Sequence, residues 1–205
     1  MRPVTIVDCG LSNIDSVVRA IEYCGGAPVV TRDPATVRDA GRVILPGVGA
    51  FPEAMRRLNE TGLADAIRET AISAGRPILG ICLGMQLLAT TGQEGGFTQG
   101  LDIVPGDVAP LRRAAPKERI PHIGWNTVTD SGGCQLLTDT PPDSDFYFVH
   151  SYCFRPADPA NALATTPSYG GFASIVGSGV AFGAQFHPEK SQKTGFGVLR
   201  AFVGL

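Results

Sequence analysis

The chain has 205 residues, enough to bury one full core but cramped for two, so a single domain over residues 1–205 is expected. Its 17 basic and 19 acidic residues nearly cancel and no block of like charge appears, which argues against a sequence-independent hold on nucleic acid or on an anionic membrane. A small neutral substrate or a protein partner fits this balance better. The opening Met1-Arg2-Pro3, followed directly by Val4 to Val7, has neither the pattern of a signal peptide nor a membrane-spanning length, so a cytoplasmic location is expected.

From residue 4 to residue 91 short apolar runs alternate with helical periodicity. Val4 to Asp8 reads as a strand, and Ile14, Val17, Val18 and Ile21 recur at the spacing of an amphipathic helix that Gly25-Gly26 closes. Pro28 to Thr31 is a second strand, and Asp33-Pro34 supplies a capping residue and a first-turn proline for the next helix. Arg42 to Leu45 is a third strand. A helical stretch from Phe51 to Ala74, interrupted at Gly62, leads to a fourth strand at Pro77 to Ile81 and a helix from Leu83 to Ala89. Such alternation predicts an α/β fold with a mostly parallel central sheet covered by helices on both faces.

Beyond about residue 100 the pattern changes to short runs bounded by turn signals. Ile103–Val108, His122–Val128, Phe146–Phe154, Ala162–Thr165, Ala173–Val176 and Val180–Phe186 predict mostly antiparallel strands added to the same core. Phe196, Leu199, Ala201 and Phe202 mark a final helix. The 26 glycines and 16 prolines fall between these segments, as tight turns require. No repeat or low-complexity tract is present.

The five cysteines are odd in number, widely spaced and without a CxxC pair, which argues against a disulfide framework and a thiolate zinc site. One has a distinctive setting. In Gly80-Ile-Cys-Leu-Gly84, Cys82 sits between two glycines at a strand-to-helix junction, the cysteine form of a nucleophile elbow. The helix beginning just after it aims N–H groups and positive dipole at the sulfur and favours the thiolate. Cys9, Cys24, Cys134 and Cys153 read as small core residues.

A cysteine nucleophile needs a base, and only His122, His150 and His187 are available. In Gln185-Phe-His-Pro-Glu189, the proline forces His187 into an extended conformation, and alternation places His187 and Glu189 on one side. A carboxylate can then hold one ring nitrogen while the other faces sulfur. His150 reads as a structural or substrate-adjacent residue. The loop Leu45-Pro-Gly-Val-Gly-Ala-Phe51 can supply an oxyanion donor beside the N–H that follows the nucleophile, although its glycines are equally those of a plain turn.

Taken together, PGVGAF, GICLGMQLL and QFHPEKS resemble class I glutamine amidotransferases along essentially the whole chain. PHIGWN and FYFVHSY narrow the resemblance to the glutaminase subunits of imidazole glycerol phosphate synthase, which serve histidine biosynthesis. The resemblance implies Cys82, His187 and Glu189 as a triad, with Leu83 and the Val48–Gly49 region as oxyanion hole. It also implies that Gln86 and the backbone around Ser151 and Tyr152 hold the glutamine head group. It further implies a heterodimer with a separate (β/α)8-barrel cyclase that receives the ammonia. Asn13, Trp125 and Lys190 are candidate contacts with that partner, with a core position an equal reading for Trp125. One departure is Asp8-Cys9-Gly10-Leu11, where relatives commonly carry a tyrosine after the aspartate and a second glycine near Leu11. No P-loop, dinucleotide fingerprint or metal cluster is visible in the sequence, so no cofactor and no metal are expected. A glutaminase for surface-sugar amidation and a non-catalytic interaction module of the same fold are the alternatives. The presence of all three triad residues argues against the second.

Overall fold

A computed structural model describes all 205 residues. Strands β1 (Arg2–Val7), β2 (Gly26–Thr31), β3 (Val43–Gly47) and β4 (Ile78–Cys82) run parallel, separated by α1 (Ile14–Tyr23), α2 (Pro34–Arg38), α3 (Phe51–Glu60) and α4 (Leu63–Arg68). Their side chains alternate between two apolar cores: Val43, Leu45 and Ile78 point to one, Ile44, Leu79 and Ile81 to the other. Burial on both faces is why these strands read as continuous apolar runs. Pro28 is tolerated because β2 is a sheet edge. The expected capping of α2 is present, with Asp33 accepting from the N–H groups of Ala35 and Thr36. Gly62 separates α3 from α4 in a left-handed conformation, at φ 74°.

After β4 comes the short α5 (Leu83–Leu87), then β5 (Thr91–Gly92), β6 (Thr98–Gln99), β7 (Gly106–Pro110), β8 (His122–Asp130), β9 (Ser144–His150) and β10 (Tyr152–Pro156). The chain ends with β11 (Ala162–Thr166), β12 (Phe172–Ser178), β13 (Ala181–Ala184) and α6 (Gln192–Gly204). The main sheet has nine strands in the order β2-β1-β3-β4-β13-β12-β11-β8-β9. Strand β13 joins β4 in parallel, and from β12 outward the pairing is antiparallel.

Two expectations change. The run Phe146–Phe154 is two strands: β9 belongs to the main sheet, whereas β10 pairs with β7 in a separate four-stranded sheet, and Ser151 is the crossing point. Apolar residues continue through both halves, alternate ones buried in β9 and the adjacent Cys153 and Phe154 buried in β10, so the run carries no sign of the break. Strand β7 starts at Gly106, later than expected, because Ile103 and Val104 donate their N–H groups to the Leu88 carbonyl in a turn. The added strands thus divide between two sheets while packing on the same core, with Val108 and Phe154 beside Val43 and Leu45.

Candidate active site

The glycines around Cys82 are required by packing. A Cβ on Gly84 would lie 1.7 Å from the Leu45 carbonyl oxygen, and one on Gly80 would lie 2.4 Å from the Gly84 carbonyl oxygen. Strand β4, α5 and β3 therefore touch backbone to backbone, and the chain turns at Cys82 with φ 55°, a left-handed value that a side-chain-bearing residue adopts only under strain. Cys82 is the N-cap of α5, so the Leu83 N–H lies in the first turn, where no intrahelical acceptor exists.

Register brings the rest of the site to this point. Parallel pairing sets Gly47 opposite Cys82 on one side, and Gly183 and Ala184 opposite Gly80 and Ile81 on the other. The segment that follows β13, with Gln185 and His187, thus emerges beside the nucleophile. His187 is buried and lines the same cleft as Cys82, and its Nδ1 is 2.8 Å from Glu189 Oε1. Pro188–Lys190 forms a 3-10 turn, so Glu189 reaches His187 by that turn and not by alternation along an extended strand. Burial alone would lower the His187 pKa; the hydrogen bonds and charges of Cys82 and Glu189 outweigh it and lift the imidazole to about 9. Ser191, wholly buried, fixes the backbone behind this histidine: its hydroxyl donates to the His187 carbonyl at 2.7 Å and accepts from the Tyr147 N–H at 3.0 Å.

A cleft of about 310 Å³ opens over Cys82 and His187 and is lined by Val48, Gly49, Leu83, Gln86, Ser151 and Tyr152. It also includes Glu94, to which sequence reasoning assigned nothing, and Lys190. Glu94 accepts from the Phe51 N–H at 2.7 Å, which ties the cleft wall to the start of α3. Its only sequence signal was an acidic residue in a glycine-rich loop. His150 faces the cleft and hydrogen-bonds His122 at 2.9 Å and the Tyr152 carbonyl at 2.8 Å. Burial is the main cause that lowers its pKa to about 4, so the ring is neutral.

The loop expected to supply an oxyanion donor points its Val48 N–H elsewhere. The Val48 N–H donates to the Leu11 carbonyl at 2.7 Å, away from the nucleophile, while Gly49 stands at φ 107° with no atom within 4 Å of a notional Cβ. Of the proposed partner contacts, Lys190 is exposed at the cleft and Trp125 is 47% exposed, bordering a neighbouring hollow that shares Pro121 with the cleft. Trp125 is therefore not a core residue. Asn13 is exposed at the start of α1, away from the cleft lining.

The family model for glutamine amidotransferase class-I matches residues 5–203. The imidazole glycerol phosphate synthase subunit HisH of Moorella thermoacetica is 46% identical over 202 residues, covering 98% of this chain and 94% of that protein. The HisH protein of Chlorobaculum tepidum is 44% identical over 201 residues, covering 98% of each. Among solved structures, a chain of PurLQS from Thermotoga maritima superposes with a TM-score of 0.74 at 18% identity, covering 99% of this chain and 98% of that one. A crystal structure of a glutamine amidotransferase gives 0.76 at 17% identity, covering 98% of this chain and 99% of that one. At such identities these two speak for the fold. The chain belongs to the class I glutamine amidotransferases, and within them to the HisH subunits of imidazole glycerol phosphate synthase.

Proposed function

We propose that this chain is the glutaminase of imidazole glycerol phosphate synthase, with Cys82 as nucleophile, His187 as acid and base, and Glu189 as its orienter. The observation that carries this reading is the convergence on one cleft of a sulfur at a strained elbow and an imidazole held by a buried carboxylate. The Cys82 thiolate attacks the side-chain amide carbon of glutamine. As the C–N bond breaks, His187 gives its proton to the leaving nitrogen and ammonia departs, leaving a γ-glutamyl thioester. Neutral His187 then takes a proton from water, whose oxygen attacks the thioester. The C–S bond breaks, the thiolate is restored, and glutamate leaves.

The cleft matches the free amino acid. Glu94 offers a carboxylate to the α-ammonium group and Lys190 an ammonium group to the α-carboxylate, while Gln86 and the backbone at Ser151 and Tyr152 face the side-chain amide. The partner is a (β/α)8-barrel cyclase that receives the ammonia on the side of Trp125, Lys190 and Asn13. The test uses the complex. Cys82→Ala abolishes glutamine-dependent turnover and leaves turnover with added ammonium salts largely intact. A mutant complex that assembles but also loses the ammonia-dependent reaction overturns this division of labour.

A further inference from the structure

Gln185 is a fully buried amide in the apolar extension of β13. Burying such a group is unfavourable unless its hydrogen bonds are made. Its side-chain partners are Gln86 and Cys82: its Oε1 is 3.1 Å from Gln86 Nε2, and its Nε2 is 3.9 Å from Cys82 Sγ.

The direction of these bonds follows from one atom. The Tyr152 carbonyl can only accept, and it meets Gln86 Nε2 at 3.1 Å and His150 Nδ1 at 2.8 Å. Gln86 is thereby held with its NH2 group inward. Its second N–H then requires an acceptor, which fixes the oxygen of Gln185 toward Gln86 and the NH2 of Gln185 toward sulfur. The same carbonyl sets His150 with its proton on Nδ1, so His150 Nε2 accepts from His122. Every group in the chain from His122 to Cys82 has one consistent orientation. It ends in a donor aimed at the nucleophile and leaves the Gln86 oxygen to accept from an N–H of the ligand.

We propose that Gln185 is a further catalytic residue: its amide N–H stabilises the Cys82 thiolate and its carbonyl keeps Gln86 turned to receive the ligand. A hydrogen bond to a charged acceptor is stronger than one to a neutral acceptor, so this donor favours sulfur as thiolate over sulfur as thioester. It therefore acts on the free enzyme before attack and again when sulfur leaves. A glutamine serving only as packing would give neither effect. The inference rests on Cys82 being the nucleophile.

The experiment measures iodoacetamide alkylation of the Cys82 peptide by mass spectrometry against pH, on the full chain, together with glutaminase kinetics of the complex. Gln185→Met keeps the volume and removes both hydrogen bonds, whereas Gln185→Glu retains the acceptor for Gln86 and removes the amide donor. Alkylation at neutral pH is expected to slow about tenfold or more in both, with its pH inflection moved upward, and kcat is expected to fall by a similar factor. KM should rise in Gln185→Met and stay near the wild-type value in Gln185→Glu. In the unsubstituted chain, the Gln185 side-chain amide resonance should titrate with Cys82, and this readout stands if a variant does not fold. Alkylation profiles that superpose on wild type, or an amide resonance silent to pH, overturn the role of Gln185. If Cys82→Ala keeps glutaminase activity, the assignment of the nucleophile itself falls.

Discussion

His187 carries a proton in the resting site because two partners outweigh its burial. Its folded pKa, about 9, lies above the unfolded value near 6.5, so the associated stabilisation is full below about pH 6.5 and is lost as pH rises through 9. The wild-type chain should therefore lose more stability between pH 6 and pH 9.5 than His187→Gln does, which paired urea titrations would measure. Equal losses would mean that the imidazole gains nothing from Cys82 and Glu189. For catalysis, Glu189→Gln should reduce kcat by about 10–100-fold less than His187→Ala, since an orienter is partly replaced by surrounding contacts while the base is not. Steady-state turnover of the two variants in the complex decides it, and the reverse order contradicts the assigned roles. At this scale the sequence was informative where chemistry leaves a pattern: the glycines beside Cys82 and the Pro-Glu after His187. Gln185 had a fainter mark, one amide in an apolar run. Glu94 had only its place in a glycine-rich loop and Ser191 had none, because their value comes from what the fold sets opposite them.

The elements around the nucleophile tolerate little. Gly84→Ala would drive a methyl group into the Leu45 carbonyl, where both sides are backbone and neither yields, and is expected to destabilise the chain by about 3 kcal/mol or more. Urea denaturation tests this, and a wild-type midpoint would mean that α5 and β3 are not in contact. The loop after β3 is different. If Val48 is the second oxyanion donor proposed above, its N–H on Leu11 withholds roughly 2.7–4 kcal/mol of transition-state stabilisation. The isolated chain should thus turn over glutamine about a hundredfold or more slowly than the chain with its partner, provided the partner prefers the loop with that peptide rotated inward. Full turnover by the chain alone, unchanged on adding the partner subunit, contradicts this. The parallel half of the fold was readable because doubly buried strands and capped helices leave strong local patterns. Peptide orientation at Val48 leaves none, and neither do two-residue strands such as β5 and β6. The step between sheets at Ser151 was hidden by apolar residues on both sides of it.

Across the whole molecule, the apolar side chains of Ile123, Trp125 and Val149 lie open on β8 and β9, near the cleft. Trp125→Ala is expected to weaken partner binding with little change in the melting temperature of the free chain, as titration calorimetry and thermal unfolding would show. A large drop in melting temperature with unchanged affinity would place the indole's role inside the fold. A last consequence follows from the pairing of β4 with β13. These strands are neighbours in space, yet residues 83–180 lie between them along the chain, so the nucleophile and its base are joined by a contact of long sequence range. During synthesis Cys82 leaves the ribosome well before His187, and the two meet only after β13 has paired with β4. A chain that ends before residue 187 therefore holds the sulfur of Cys82 without the imidazole that shares its cleft.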